Sequence, residues 1–174
     1  MQPARWPTVN TLLRRLAAEM RLILEPTGLY LYGSLTTGDF DPKNSDVDLM
    51  VAAASEISDQ QLGRLQQMHN NVVRDNPEWL DRIEVAYVSL ETLGTPWSSQ
   101  DRIAIISPGE PLDFKEAGKE WLVNWYTVRQ TGLTLFGPTP ETIIAPISQA
   151  EFVELIREHA NKWGDWVCDL LFPA

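Results

Sequence analysis

Between Thr8 and Glu25 the apolar residues Leu12, Leu13, Leu16, Met20, Ile23 and Leu24 recur at intervals of three and four, which predicts an amphipathic helix stopped by Pro26 and Gly28. Arg14, Arg15 and Arg21 lie mostly off its apolar face and read as a solvated surface. The pattern then switches to strand character. Leu29 to Gly33-Ser34 is an apolar strand, a polar connector with Gly38 and Pro42 follows, and a second strand carries Asp46 and Asp48. Side chains two apart share a strand face, so Asp46 and Asp48 project together while Val47, Leu49 and Val51 enter a core.

Further along, Ser58 and Gln61 form a capping box that opens a helix through about Asn70, with Leu62, Leu65 and Met68 on its buried side. His69 falls near the predicted helix end, where it would interact with the C-terminal carbonyls. Arg82 to Val88 reads as a strand in which Ile83, Val85 and Tyr87 alternate with Glu84, Ala86 and Val88. From Glu91 to Glu116 prolines interrupt the pattern, leaving one short strand at Arg102 to Ile106 and a loop tryptophan, Trp97, that seals a core edge or flanks a ligand. Ala117 to Thr131 is helical, with Trp121, Leu122 and Val128 as its packed stripe and Trp125 and Tyr126 as core or interface. Leu133 to Phe136 is a last short strand. Ser148 and Glu151 form a second capping box, starting a helix with Phe152, Leu155 and Ile156 apolar.

These elements predict an α/β (α+β) fold: a mixed, twisted sheet of four or five strands, helices on one face, and a short helical appendage. The expected division is 1-147 for the main domain and 148-174 for the start of a helical one. A chain of 174 residues, 44% hydrophobic and 22% charged, suits one soluble domain. No apolar run approaches membrane-spanning length, the N-terminus lacks a signal-peptide pattern, and a single Cys168 fits a reducing cytoplasm. With 14 basic and 24 acidic residues the net charge is −10, which disfavours a partner made of long nucleic acid and favours a polycationic one.

The chemistry concentrates in the central stretch. Two adjacent carboxylates repel unless a cation neutralises them, and hard oxygen donors at this spacing suit Mg2+. Gly33-Ser34 offers a backbone with no Cβ, a hydroxyl, and N–H groups freed by any helical turn that follows, as a phosphate cradle requires. Glu84, a carboxylate in an otherwise apolar strand, is costly to bury without a partner and is the candidate third acid.

Gly33-Ser34, Gly38 and Asp46-Val47-Asp48, in this order and with this strand polarity, resemble the nucleotidyltransferases of the DNA polymerase beta superfamily. The wording YGSLTTGDF and SDVDLMV is most similar to aminoglycoside adenylyltransferases, and Gly132 to Pro138 resembles the strand end before that family's helical domain. The resemblance implies transfer of a nucleoside monophosphate, AMP from ATP, to a hydroxyl of a small acceptor, an aminoglycoside-type antibiotic. It implies two Mg2+ ions held by Asp46, Asp48 and Glu84, nucleotide binding by Gly33, Ser34, Asp46 and Asp48, and Glu84 as catalytic base. Lys115, Lys119 and Arg129 are candidates by position for the triphosphate. The chain departs from the family in carrying only the first helix of the helical domain. A protein adenylyltransferase of antitoxin type, or a catalytically reduced nucleotide-binding chain that pairs with itself or with a helical partner protein, are the alternative readings.

Overall fold

The computed structural model describes residues 4–95, 102–119 and 121–171, and at 159 and 162–171 the backbone alone. The chain begins with α1 (Pro7–Leu24), whose first turn accommodates Pro7 because that position needs no intrahelical N–H. It continues through β1 (Gly28–Tyr32), the single turn α2 (Ser34–Thr37), β2 (Val47–Ala53), α3 (Asp59–Asp75) and β3 (Ile83–Ser89). Then come α4 (Leu90–Gly94), β4 (Arg102–Ser107), β5 (Glu110–Glu116), α5 (Trp121–Thr131), β6 (Leu133–Phe136), α6 (Pro140–Ile143) and α7 (Gln149–Leu171).

The six strands form one sheet in the order β5-β4-β3-β2-β1-β6. β2 and β3 pair in parallel, joined by the crossover through α3, and the other neighbours are antiparallel. The sheet therefore exceeds the predicted four or five strands by β5, a charged edge strand whose Glu110, Asp113 and Glu116 face outward. These acids stand on a strand, not on the loop that the prolines suggest.

Helices cover both faces rather than one. Val47, Leu49 and Val51 of β2 and Ile83, Val85 and Tyr87 of β3 pack beneath α1 (Leu12, Leu16, Met20) and α3 (Leu65, Met68, Val72). Residues of the opposite parity, Met50, Ala52, Ala86 and Val88, pack with Tyr30 and Tyr32 of β1 beneath Trp125 and Val128 of α5. A central strand apolar at both parities needs cover on both sides, and at about 25 cal/mol per Å² of apolar surface that double burial is the main stabilising term.

The capping box of α3 is formed: Ser58 Oγ accepts from Gln61 N and Gln61 Oε1 accepts from Ser58 N. The helix runs past Asn70 to Asp75 because Val72 completes its buried stripe. His69 is consequently mid-helix and buried, with Nε2 2.7 Å from the Tyr87 hydroxyl, and does not meet the helix end. Burial lowers its pKa to about 4, so the ring is neutral at pH 7. The Ser148–Glu151 capping box opens α7, which packs on α5 through Tyr126 stacked on Phe152 at 4.0 Å between ring centroids. Among the described residues no helix is long and apolar enough to cross a membrane.

Candidate active site

Three residues in lateral register make a row across the sheet: Tyr32 of β1 lies opposite Asp48 of β2, and Asp48 lies opposite Glu84 of β3. Direct cross-strand neighbours hold their Cβ atoms about 5 Å apart, so the three side chains share one patch on the α5 side of the sheet. Asp46 precedes β2 with the same parity as Asp48 and is half-buried. The approach to β2 is fixed by Arg82, whose guanidinium donates to Ser45 O and Pro42 O and stacks over Trp79.

The row is electrostatically loaded. Burial, followed by the charges of Asp46 and Glu84, pushes the Asp48 carboxyl up to about 7. Glu84 is also raised, first by burial and then by Asp46, against hydrogen bonds from Tyr32 and Ser107 and the charge of Lys115 that hold it down. Tyr32 Oη–H donates to Glu84 Oε1 at 3.0 Å, and the phenol's pKa lies well above its usual value through burial and then the surrounding carboxylates.

Gly33 adopts φ +67 and ψ −150, a region open essentially to glycine alone. A Cβ there would stand 2.0 Å from Asp48 Oδ2, so the absence of a side chain is what lets the backbone lie against the carboxylate. The turn α2 begins at Ser34, with Thr36 and Thr37 N–H closing on Gly33 O. Initial N–H groups of a helical turn have no partner inside it, which here concerns Ser34 and Leu35. Ser34 Oγ is buried without a hydrogen-bond partner.

The structure thus brings Gly33, Ser34, Asp46, Asp48 and Glu84 to one end of the sheet. Among the described residues, no three His, Cys, Asp or Glu side chains stand close enough to enclose a metal ion as they lie. The donor set still fits a divalent cation: oxygen ligands only, one of them raised in pKa by burial and then by its neighbouring carboxylates, beside a hydroxyl and a backbone cradle short of a partner. Lys115 pairs with Glu110, Lys119 with Glu158, and Arg129 donates to the carbonyls of Glu141 and Ile144. Of the three, only Lys115 acts on Glu84. Glu91 lies in α4, beyond the opposite end of β3; Trp97 and Asp101 lie outside the described residues. Tyr32 and Ser107 are site neighbours that sequence reasoning passed over, although Tyr32 directly precedes Gly33.

One pH effect follows for the protein without metal. Asp48 holds its proton to about pH 7 when folded and to about 3.8 at its ordinary value, so its contribution to stability is full below pH 4 and lost as pH rises through 7. Urea melts should show the apo fold weakening between about pH 4 and 7, with Asp48 supplying on the order of 4 kcal/mol of the loss. Asp48→Asn should flatten that part of the profile. An unchanged pH dependence in the variant would mean that the carboxyl titrates normally.

The residues 13–130 match the family model described as nucleotidyltransferase domain. The fold is similar to that of the spectinomycin adenyltransferase AAD(9) from Enterococcus faecialis, solved with ATP and spectinomycin, with a TM-score of 0.72 and 17% identity. That match covers 87% of this chain and 66% of the other, so the chain spans just under two thirds of that protein's length. A toxin–antitoxin chain solved with AMP-PNP matches with a TM-score of 0.42 and 15% identity over 91% of this chain and 97% of that one. No curated protein matches the sequence. With its glycine cradle, its acidic strand pair and more than half its length within the family model, the chain belongs to the nucleotidyltransferase domain family.

Proposed function

We propose that the chain transfers a nucleoside monophosphate, AMP from ATP, to a hydroxyl of a small polycationic acceptor of the aminoglycoside type. The observation that carries the reading is the lateral row of Asp48 and Glu84 on adjacent parallel strands, with the Gly33 backbone laid against Asp48. Support for the acceptor class comes from the fold similarity to an adenyltransferase solved with ATP and spectinomycin, and from a net charge of −10 that draws in cations.

In this reading Asp46, Asp48 and Glu84 hold Mg2+, two ions when fully loaded. The metal supplies charge neutralisation on the triphosphate and on the departing pyrophosphate. The chain's own groups do the rest. Ser34 Oγ and the N–H groups of Ser34 and Leu35 bind phosphate oxygens, and the glycine lets those oxygens approach without a Cβ in the way. Glu84 accepts the proton of the acceptor hydroxyl, while Tyr32 donates to Oε1 and so fixes which carboxylate oxygen remains available. Lys115, whose charge acts on Glu84, is a cation near this end of the sheet. Residues 148–174 are taken as the start of a helical domain, which together with a second copy or a helical partner closes the acceptor side.

Incubating the protein with Mg2+, each nucleoside triphosphate in turn and a panel of acceptors including streptomycin and spectinomycin should give an antibiotic carrying one added nucleoside monophosphate, read by mass spectrometry. An adduct on a protein hydroxyl would transfer the reading to the antitoxin type. Nucleotide binding with no adduct would leave a nucleotide-binding partner protein, and absence of nucleotide binding would remove the proposed site.

A further inference from the structure

The two aspartates of the candidate site are not held in the same way. Asp48 lies inside β2 with a strand on each side, opposite Tyr32 of β1 and Glu84 of β3, so the sheet itself sets its place. Asp46 has no such support. It stands one residue before β2, and the paired register of β2 with β3 begins only at Val47, whose N–H donates to Arg82 O.

What precedes Asp46 is a closed turn. Asp41 Oδ1 and Oδ2 accept from Lys43 N and Asn44 Nδ2, Ser45 N donates to Asp41 O, and Asp41 N donates to Ser45 Oγ. The entrance to this turn is anchored by Phe40, which is buried against Trp6. Its exit is anchored by the Arg82 side chain. Nε and one terminal nitrogen both donate to Ser45 O, that terminal nitrogen also donates to Pro42 O at 3.0 Å, and the other donates to Glu78 O at 3.3 Å. Trp79 lies against the guanidinium, with 4.9 Å from Cζ to the ring centroid.

Three carbonyls from two segments thus converge on one planar fork, which makes no ion pair among the described residues. Ser45 O belongs to the peptide that leads into Asp46, so the guanidinium fixes the backbone from which the Asp46 side chain departs. A part-buried carbonyl that loses its donor must find another or turn towards water. Lysine is no substitute here, because an ammonium gathers its donors at one point and cannot span the three oxygens in a plane.

We propose that Arg82 is a positioning residue for the nucleotidyl-transfer site, acting through the Ser45 peptide to hold Asp46 beside Asp48. The role rests on the reading of Asp46 and Asp48 as cation ligands, and within it Arg82 acts through the backbone without touching the cation. Partners of this outer kind are worth about ten- to a hundredfold in metal affinity or activity.

The test compares the full wild-type chain with Arg82→Lys, which keeps the charge and the stem, and with Arg82→Gln, each held well below its melting temperature. Amide hydrogen exchange is measured on the protein alone, and calorimetry follows titration with Mg2+ and α,β-methylene ATP. Exchange at Ser45 and Val47, the hydrogen-bonded amides on either side of Asp46, should quicken by about tenfold while the rest of β2 and β3 keeps its protection. Mg-nucleotide affinity should fall by about ten- to a hundredfold in the same variants. A residue that only supported the fold would loosen the whole sheet and leave affinity unchanged. The proposal is overturned if both variants bind Mg-nucleotide as the wild type does, or if exchange rises across β2 and β3 rather than around Asp46. Failure of the wild type itself to bind Mg-nucleotide is a separate result, which removes the cation site and the role of Arg82 with it.

Discussion

Glu84→Gln should bind Mg-nucleotide within a few-fold of the wild type and lose turnover by roughly two to four orders of magnitude, the usual range for removing a general base. The substitution keeps the shape of the side chain, and the amide oxygen can still accept from Tyr32 Oη–H, so the row's packing persists. What disappears is a group able to take a proton. Removing its charge also relieves Asp48, whose raised pKa Glu84 helps to cause, and this offsets part of what the cation loses when an amide replaces a carboxylate ligand. The loss should therefore fall on kcat rather than on KM for the nucleotide. A variant with near-normal kcat would make Glu84 structural and return proton removal to solvent or to Asp46 and Asp48. The comparison needs only the nucleotide and acceptor pair that gives an adduct with the wild type.

The sequence carried the row because period two survives in it. Val47, Leu49 and Val51 against Asp46 and Asp48, and Ile83, Val85 and Tyr87 against Glu84, each put carboxylates on one face and core residues on the other, and the pairing register then aligns Asp48 with Glu84. The second covered face was also written in the chain, at Met50, Ala52, Ala86 and Val88, but apolar residues at both parities say only that a strand is central. They do not say which helix arrives. β5 escaped because Glu110, Asp113, Lys115 and Glu116 give it the composition of a solvated loop, with Leu112 as its buried anchor. His69 was misplaced by helix length. A histidine five residues deeper in α3 than expected meets Tyr87, a partner distant in sequence. Tyr32 is the same kind of case, since its contact with Glu84 depends on strand order and has no local signature.

Gly33→Ala should damage the site more than any other substitution that adds only a methyl group. The added Cβ would lie 2.0 Å from Asp48 Oδ2 and 2.8 Å from Asp48 Cγ, against a carboxylate held by its neighbours on both sides. Something must shift, and the backbone cannot readily supply the movement, because φ +67 with ψ −150 is closed to alanine. Backbone strain of this kind costs on the order of 1 to 3 kcal/mol, and a displacement near 1 Å at reacting groups costs about a hundredfold in rate. Gly38→Ala provides the contrast. Gly38 also has a positive φ, +93, as the cap of α2, but a Cβ there meets nothing within 4 Å. Strain alone should therefore lower its melting temperature while leaving Mg-nucleotide affinity near the wild-type value. Thermal melts and calorimetric titrations of the two variants separate the effects. Similar stability losses with nucleotide binding lost only in Gly33→Ala would assign the cradle to the approach of Gly33 to Asp48; unaltered binding in Gly33→Ala would mean that Asp48 can move aside without consequence and that the phosphates are held elsewhere.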